Sequence, residues 1–507
     1  MAVCMKKVLN KKNILIALYA FLIAFLTLML ASKNSFLYPF NDWVDANAFF
    51  TVGKSMFHGI VPYKDLFEQK GPLLYFIYGI ASIISFKSFL GVFILEVLFW
   101  TIALIYLYKI LKMFLSTRVS LLILPIFMSI IATTRAFTHG GSAEEFCAPF
   151  FFITLYYFIK HFKIKELTKK EMLLNGVIAG FILLIKYTLL GFWFAFTLAI
   201  FIDYIMKKDY KKAIIYPLTL LLGIFIPFAI FLIYFGINHA IGDFFYNYFY
   251  VNMAAYGEDV VGIFSRLSQI FTGFIGALCR NVICMILLVL FILFVWKLNL
   301  SKRCKVLLII SLFITVLGVY FGLKFYRYYL LFILFFISLG LLSVFNLFDK
   351  YINNLNNKIY IPISILVGCL MIFNSYYNAN YKEYLSINKE DLFQYEFASI
   401  INEEKSATMV NMGKLDCGVY TLSGLYPSTY FFERQNISYE AFPDNLDAFK
   451  DYIKNKETMF IVYYTWLDEE NLKSREEELF VNYDLLKVRK QQFEDKDYYG
   501  YLFKVKE

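Results

Sequence analysis

Long apolar runs broken by short charged loops leave this chain few folds to choose from. The first run, 13–31, follows Lys6, Lys7, Lys11 and Lys12 and is too long for a signal-peptide core, so it reads as an anchor that stays in place. Further runs of comparable length lie near 88–108, 119–133, 146–160, 172–186, 187–206, 213–236, 271–296, 306–323, 328–346 and 359–376. Apolar residues make up 60% of the 507 and charged ones only 17%, against about half apolar in soluble domains. Because a spanning helix takes about 20 apolar residues, the sequence predicts an all-α polytopic membrane domain of about eleven spans over 1–376.

Loop charge orients the spans. One run, 72–86, is ambiguous. If it stays on one side, the loops 109–118, 160–171, 207–212, 297–305 and 347–358 share 18 Lys and Arg, and the opposite loops 134–145, Lys186, 237–270 and 324–327 share 5. Letting 72–86 cross would reverse this asymmetry against the positive-inside rule. It is therefore expected as a juxtamembrane or re-entrant helix on the outer side, with the N-terminus cytoplasmic and the C-terminal tail extracytoplasmic. The overall charge of +10 hides a split: 1–376 carries a net +18 and 377–507 a net −8. The basic excess sits in short inner loops and is no nucleic-acid footprint. Seven scattered cysteines and four histidines give neither a disulfide framework nor a soft-metal site.

From about 377 the pattern changes. "NKEDLFQYEFASIINEEK" reads as an amphipathic helix, "ATMVNM" and "TMFIVYY" as buried strands, and "NLDAFKDYIKNK" lies between strand signals. A C-terminal extracytoplasmic α/β domain over 377–507 is expected, large enough for its own core.

The candidate chemistry lies in the outer loops. The stretch 41–76, within a first outer loop over 33–87, holds Asp42, Asp45, Asp65, Glu68, Lys54, Lys64 and Lys70 directly after the first span. Asp42 and Asp45 are three apart and share a face if that stretch is helical; two close carboxylates suit a general base near neutral pH, and a solvated loop entry with a helix cap is the alternative. In "PYKDLFEQKGP", Pro62, Gly71 and Pro72 fix the backbone around a charged turn. Lys70, where an apolar segment begins, can hold a lipid phosphate or snorkel. "GGSAEEF" places Glu144 and Glu145 at the mouth of a span, for function or with Ser142 for capping. Arg135 and His139 share that loop. Lys186 marks an outer turn, and Arg327 in "KFYRYY" can bind phosphate or anchor an aromatic belt. Glu96 and Arg280 fall inside apolar runs without an assigned role. Acids for an acceptor hydroxyl beside cations for a phosphate are what transfer from a lipid phosphate needs.

Taken together, an acid after the first span, "GIVPYKD", "KGPLLYF" and the outer-loop "GGSAEEF" resemble the bacterial branch of the protein O-mannosyltransferase-like family, GT-C fold glycosyltransferases that use polyprenyl-phosphate sugars. The resemblance covers roughly 1–190, and the spacing from Asp45 to Gly53 and on to "PYKD" and "KGP" is part of it. It implies Asp45 as catalytic acid, with Asp42 as the competing match, and Lys70 as holder of the donor phosphate. It implies Arg327 as a second phosphate contact; Lys186, another outer-face cation, is a further donor-phosphate candidate. Glu144 and Glu145 match the family's second-loop acidic pair, and Asp65, His139 and Arg135 are further substrate-binding candidates. Where many relatives have Lys-Pro-Pro or His-Pro-Pro, this chain has Lys-Gly-Pro. The implied partners are a polyprenyl-phosphate sugar donor and a cell-envelope polymer, lipid or protein acceptor at a bacterial plasma membrane. Relatives that use monophosphate donors generally do without a metal, and carboxylates at 42, 45, 144 and 145 could hold a divalent cation. The rival readings are a transporter or flippase of lipid-linked saccharides, with Glu96 and Arg280 in its favour, and a non-catalytic envelope scaffold.

Overall fold

The structure, a computed structural model, describes residues 11–256, 262–493 and 496–506. Cys4, Lys6 and Lys7, and 257–261 of the expected outer loop 237–270, lie outside these. Among the described residues seven helices are long and apolar enough to cross a membrane: Lys11–Ala31, Leu90–Leu111, Lys169–Met206, Tyr210–Ile237, Lys302–Tyr320, Arg327–Asn353 and Asn357–Tyr377. A bent pair raises this to eight at most. Thr117–Thr133 (17 residues) and Ala143–Lys163 (21 residues) are further apolar helices. The run Lys169–Met206 is interrupted at Lys186, whose backbone is extended (φ −157°, ψ 92°) ahead of a 3-10 turn. Pro72–Ile84 has 13 residues, roughly 20 Å of helix against about 30 Å of hydrocarbon. It is too short to span, in keeping with a juxtamembrane element.

One expected span needs correction. The run 271–296 is not one straight helix: Ile263–Cys279 and Val282–Lys297 meet at 114°. The break falls on Arg280 and Asn281. The Asn281 side chain donates to the Ala277 carbonyl at 2.9 Å, which satisfies backbone that the broken ladder would otherwise strand.

The chain divides into two compact units. The first comprises 1–37, 93–230 and 258–382. Its helices approach closely where glycines remove the side chain: a Cβ on Gly176 would lie 2.2 Å from the Leu220 carbonyl oxygen and 2.8 Å from the Gly223 Cα. The helices Thr117–Thr133 and Asn357–Tyr377 are joined by polar contacts, with Asn374 Nδ2 donating to Ser129 Oγ at 2.9 Å and Ser129 Oγ to the Met371 carbonyl at 2.9 Å.

The second unit comprises 38–92, 231–257 and 383–507. Its sheet runs β1 (Met409–Met412), β2 (Phe460–Thr465), β3 (Tyr483–Phe493) and β4 (Lys496–Val505) in spatial order β1-β2-β4-β3. β1 and β2 are parallel, with Met409 opposite Phe460, and the amphipathic helix Asp444–Asn455 lies between them in sequence as a crossover. β3 and β4 form an antiparallel hairpin. The core gathers Val410, Met412, Phe442, Phe449, Ile461, Tyr501 and Phe503, and Phe67 of the first outer loop joins it, its ring 5.0 Å from that of Phe442.

In the same unit the helix Val44–Phe57 packs on Pro72–Ile84. A Cβ on Gly53 would lie 2.7 Å from both the Gly79 nitrogen and the Tyr75 carbonyl oxygen. Those are backbone atoms and cannot swing aside. Gly53→Ala is therefore expected to cost about 1–3 kcal/mol, read as a lower unfolding temperature of the detergent-solubilised protein. Gly368→Ala, where the added carbon meets nothing within 4 Å, is the control, and equal behaviour of the two variants would refute the close crossing.

Candidate active site

The turn that carries Lys70 is built by side chains. The Val61 N–H donates to Asp65 Oδ2 at 2.7 Å and the Asp65 N–H to the Val61 carbonyl at 2.9 Å, so Asp65 closes the turn while remaining exposed. Inside it Tyr63 is fully buried with φ +71°, a left-handed backbone rare outside glycine. Its N–H donates to the Leu66 carbonyl at 2.8 Å. Asn247 Nδ2 (2.9 Å) and the Tyr430 hydroxyl (3.2 Å) donate to its own carbonyl.

Lys70 follows, directly ahead of a helix that opens on Gly71 and Pro72. A cation beside a helix N-terminus is a favourable setting for an anion. The Lys70 ammonium lies 5.8 Å from the centre of the Phe49 ring. Phe49 is one turn beyond Asp45 on the helix Val44–Phe57, hence on the same face. The half-buried Asp45 thus shares a helix face with the ring that the lysine approaches. Asp42 does not share that face: the helix begins at Val44, and Asp42 precedes it, accepting from the Tyr384 hydroxyl. The expectation of a shared helical face fails because Trp43 takes the N-cap position in extended geometry.

Behind these residues is a buried polar layer that local sequence does not announce. Glu433 is fully buried, and burial, then Glu68, Asp416 and Asp45, push its carboxyl well above the usual range. Gln69 Nε2 donates to Gln435 Oε1 at 3.2 Å. Asp416 accepts from the Thr51 hydroxyl at 2.7 Å. Lys54, on the same helix as Asp45, donates to the Tyr420 carbonyl at 2.6 Å. Burial pushes Lys54 down to about 7, against the opposing pull of Asp416. Among the described residues no group of three or more His, Cys, Asp or Glu is placed to hold a metal ion, so no step is derived through one.

The remaining candidates lie in the first unit. Ser142 caps the helix Ala143–Lys163, with Glu145 completing a capping box, and Trp100 Nε1 donates to Glu145 at 3.3 Å. Glu144 is paired with Lys186, whose ammonium also lies 3.4 Å from the Tyr329 ring centre. Lys186 is thus a buried ion-pair partner rather than a lone cation at a turn. His139 is buried and stacks on Tyr381 at 4.4 Å; burial, then Lys33 and Arg327, hold its imidazole well below the usual pKa. Arg135 and Arg327 are exposed. Glu96 accepts from Ser32 (2.9 Å), Asn34 (2.9 Å) and the Gly141 N–H (2.7 Å), which makes it a clamp on the loop before Ser142. Arg280 caps the break between two helices. Both residues that favoured transport thus have structural partners or positions.

Residues 69–234 match the family described as dolichyl-phosphate-mannose-protein mannosyltransferase. No curated protein matches the sequence. Among solved structures, ArnT from Cupriavidus metallidurans bound to undecaprenyl phosphate aligns with a TM-score of 0.57 at 9% identity, over 97% of this chain and 97% of that one. The same protein in the apo state aligns equally well, with a TM-score of 0.57 at 9% identity over 97% of each chain. At that identity the likeness speaks for the fold alone, and the family match covers about a third of the chain. The chain thus resembles the mannosyltransferase family over residues 69–234 and shares its fold with ArnT, and its apolar helices of spanning length support a multi-pass membrane protein.

Proposed function

We propose that the chain moves a sugar from a polyprenyl-phosphate donor to a hydroxyl of a cell-envelope acceptor at the outer face of a bacterial plasma membrane, with its N-terminus cytoplasmic and its tail outside. The observation that carries this reading is the Lys70 ammonium over the ring of Phe49, one helical turn from Asp45, with Lys70 at the start of the helix Pro72–Ile84. Asp45 takes the proton of the acceptor hydroxyl. The acceptor oxygen attacks the anomeric carbon from the face opposite the phosphate, with inversion. The carbon–oxygen bond to phosphate breaks, and the polyprenyl phosphate leaves with the electron pair, its charge met by Lys70 and the helix N-terminus. The structural likeness to a protein bound to undecaprenyl phosphate supports a lipid phosphate as donor.

Lys70→Met removes one charge-assisted phosphate contact and is expected to weaken donor binding by about 10- to 100-fold. Mass spectrometry of lipids copurifying with the detergent-solubilised protein reads this directly. A polyprenyl-phosphate sugar held by the wild type and depleted in Lys70→Met supports the reading and identifies the sugar. Equal amounts in both would overturn the assignment of Lys70.

A further inference from the structure

Resting on the reading of Lys70 as the donor-phosphate residue, the geometry points to Tyr75, Glu68 and Tyr63 as positioning residues that aim that lysine. Neither peptide group of Lys70 is left to ordinary backbone pairing. Its N–H donates to Glu68 Oε2 at 2.9 Å and to the Tyr75 hydroxyl at 2.9 Å. The Tyr75 hydroxyl in turn donates to Glu68 Oε2. The Lys70 carbonyl accepts from the Tyr63 hydroxyl. One residue earlier, the Gln69 carbonyl accepts from Asn252 Nδ2 at 2.7 Å. Four side chains from three stretches of the second unit therefore hold two consecutive residues.

The arrangement is costly where a cheaper one exists. Glu68 is 3% exposed and Tyr63 and Tyr75 are fully buried, and a carboxylate taken out of water is unfavourable unless its bonds are made. Tyr63 adds a left-handed backbone. A Ser or Asp at the N-cap would start the helix more simply, yet that position is Gly71, without a side-chain cap. What the costlier arrangement achieves is a fixed Cα for Lys70. A lysine has four rotors, and its charge is useful to a phosphate only when its stem starts from a defined point and direction. Tyr75 also lies on the helix whose N-terminus faces the same anion, so one hydroxyl ties the cation and the helix into a single rigid receptor. Tyr75, Tyr63 and Glu68 touch no substrate in this scheme; they act through Lys70.

A double-mutant cycle separates positioning from mere packing. Affinity for undecaprenyl phosphate is measured with the full chain in nanodiscs for wild type, Tyr75→Phe, Lys70→Met and the double variant. Tyr75→Phe is expected to weaken binding about fivefold to tenfold when Lys70 is present and not at all in the Lys70→Met background. Tyr63→Phe, which removes the hold on the carbonyl, serves as the second variant and is expected to behave the same way. Equal weakening in both backgrounds, or none in either, overturns the positioning role while leaving Lys70 in place. Unchanged affinity in Lys70→Met alone would overturn the donor reading itself, and the positioning role with it.

Discussion

Asp45→Asn is expected to lower sugar transfer by about 10²- to 10⁴-fold, the range for loss of a general base, while the donor lipid still copurifies. The amide keeps the shape of the side chain and the first turn of the helix Val44–Phe57, but it cannot take a proton from the acceptor hydroxyl. The effect should therefore fall on kcat rather than on donor affinity, the opposite of the split expected for Lys70→Met. Asp42→Asn is the comparison that gives the result its meaning. Asp42 lies ahead of the helix and accepts from the Tyr384 hydroxyl, so its loss is expected to cost less than about tenfold, through loosening of that contact. The assay is transfer from purified polyprenyl-phosphate sugar by variants with unchanged unfolding temperatures. Full activity in Asp45→Asn, or a larger loss in Asp42→Asn, would move the base elsewhere.

The membrane class was legible because apolar runs of spanning length have no other stable use, and the helix expected within 72–86 forms as Pro72–Ile84, too short to span. The capping box at Ser142 and Glu145 could be read from a four-residue pattern. Other features could not. The break at Arg280 and Asn281 was hidden because one charge in an apolar run reads equally well as a buried pair. β1, β2 and the helix between them showed apolar strands and an amphipathic period, but the hairpin β3–β4 alternates Lys487, Arg489 and Lys490 with apolar neighbours and carries too weak a signal against the charged tail. Farther still from sequence reading is the layer behind Asp45. Thr51 and Asp416 are 365 positions apart, and no local pattern links the first outer loop to a strand turn in the tail. The same holds for Phe67, whose place in the core of the sheet follows from packing alone.

That long-range layer carries the largest expected effect on stability. Asp416 is fully buried, with Oδ2 accepting from Thr51 at 2.7 Å, Oδ1 from the Gly418 N–H at 2.8 Å, and its own N–H donating to Glu433 at 2.6 Å. Asp416→Ala strands the Thr51 hydroxyl and the Gly418 N–H and removes the negative charge that favours the buried Lys54 ammonium. A loss of about 2–5 kcal/mol is expected, roughly 1–3 kcal/mol for each of the two buried donors left without a partner, read as faster proteolysis of the tail under conditions where cleavage follows the open population. The double variant Lys54→Met/Asp416→Leu should lose less than the single one, because it leaves no uncompensated charge inside. Lys54 adds a pH signature. Its pKa falls from 10.5 to about 7 on folding, so between those values the unfolded chain binds the additional proton and wild-type stability rises with pH. Lys54→Met should flatten that rise. If the single variant stays within about 0.5 kcal/mol of wild type, or the double variant is as unstable as the single one, the layer is ordinary packing and the tail is held by its apolar core around Phe67.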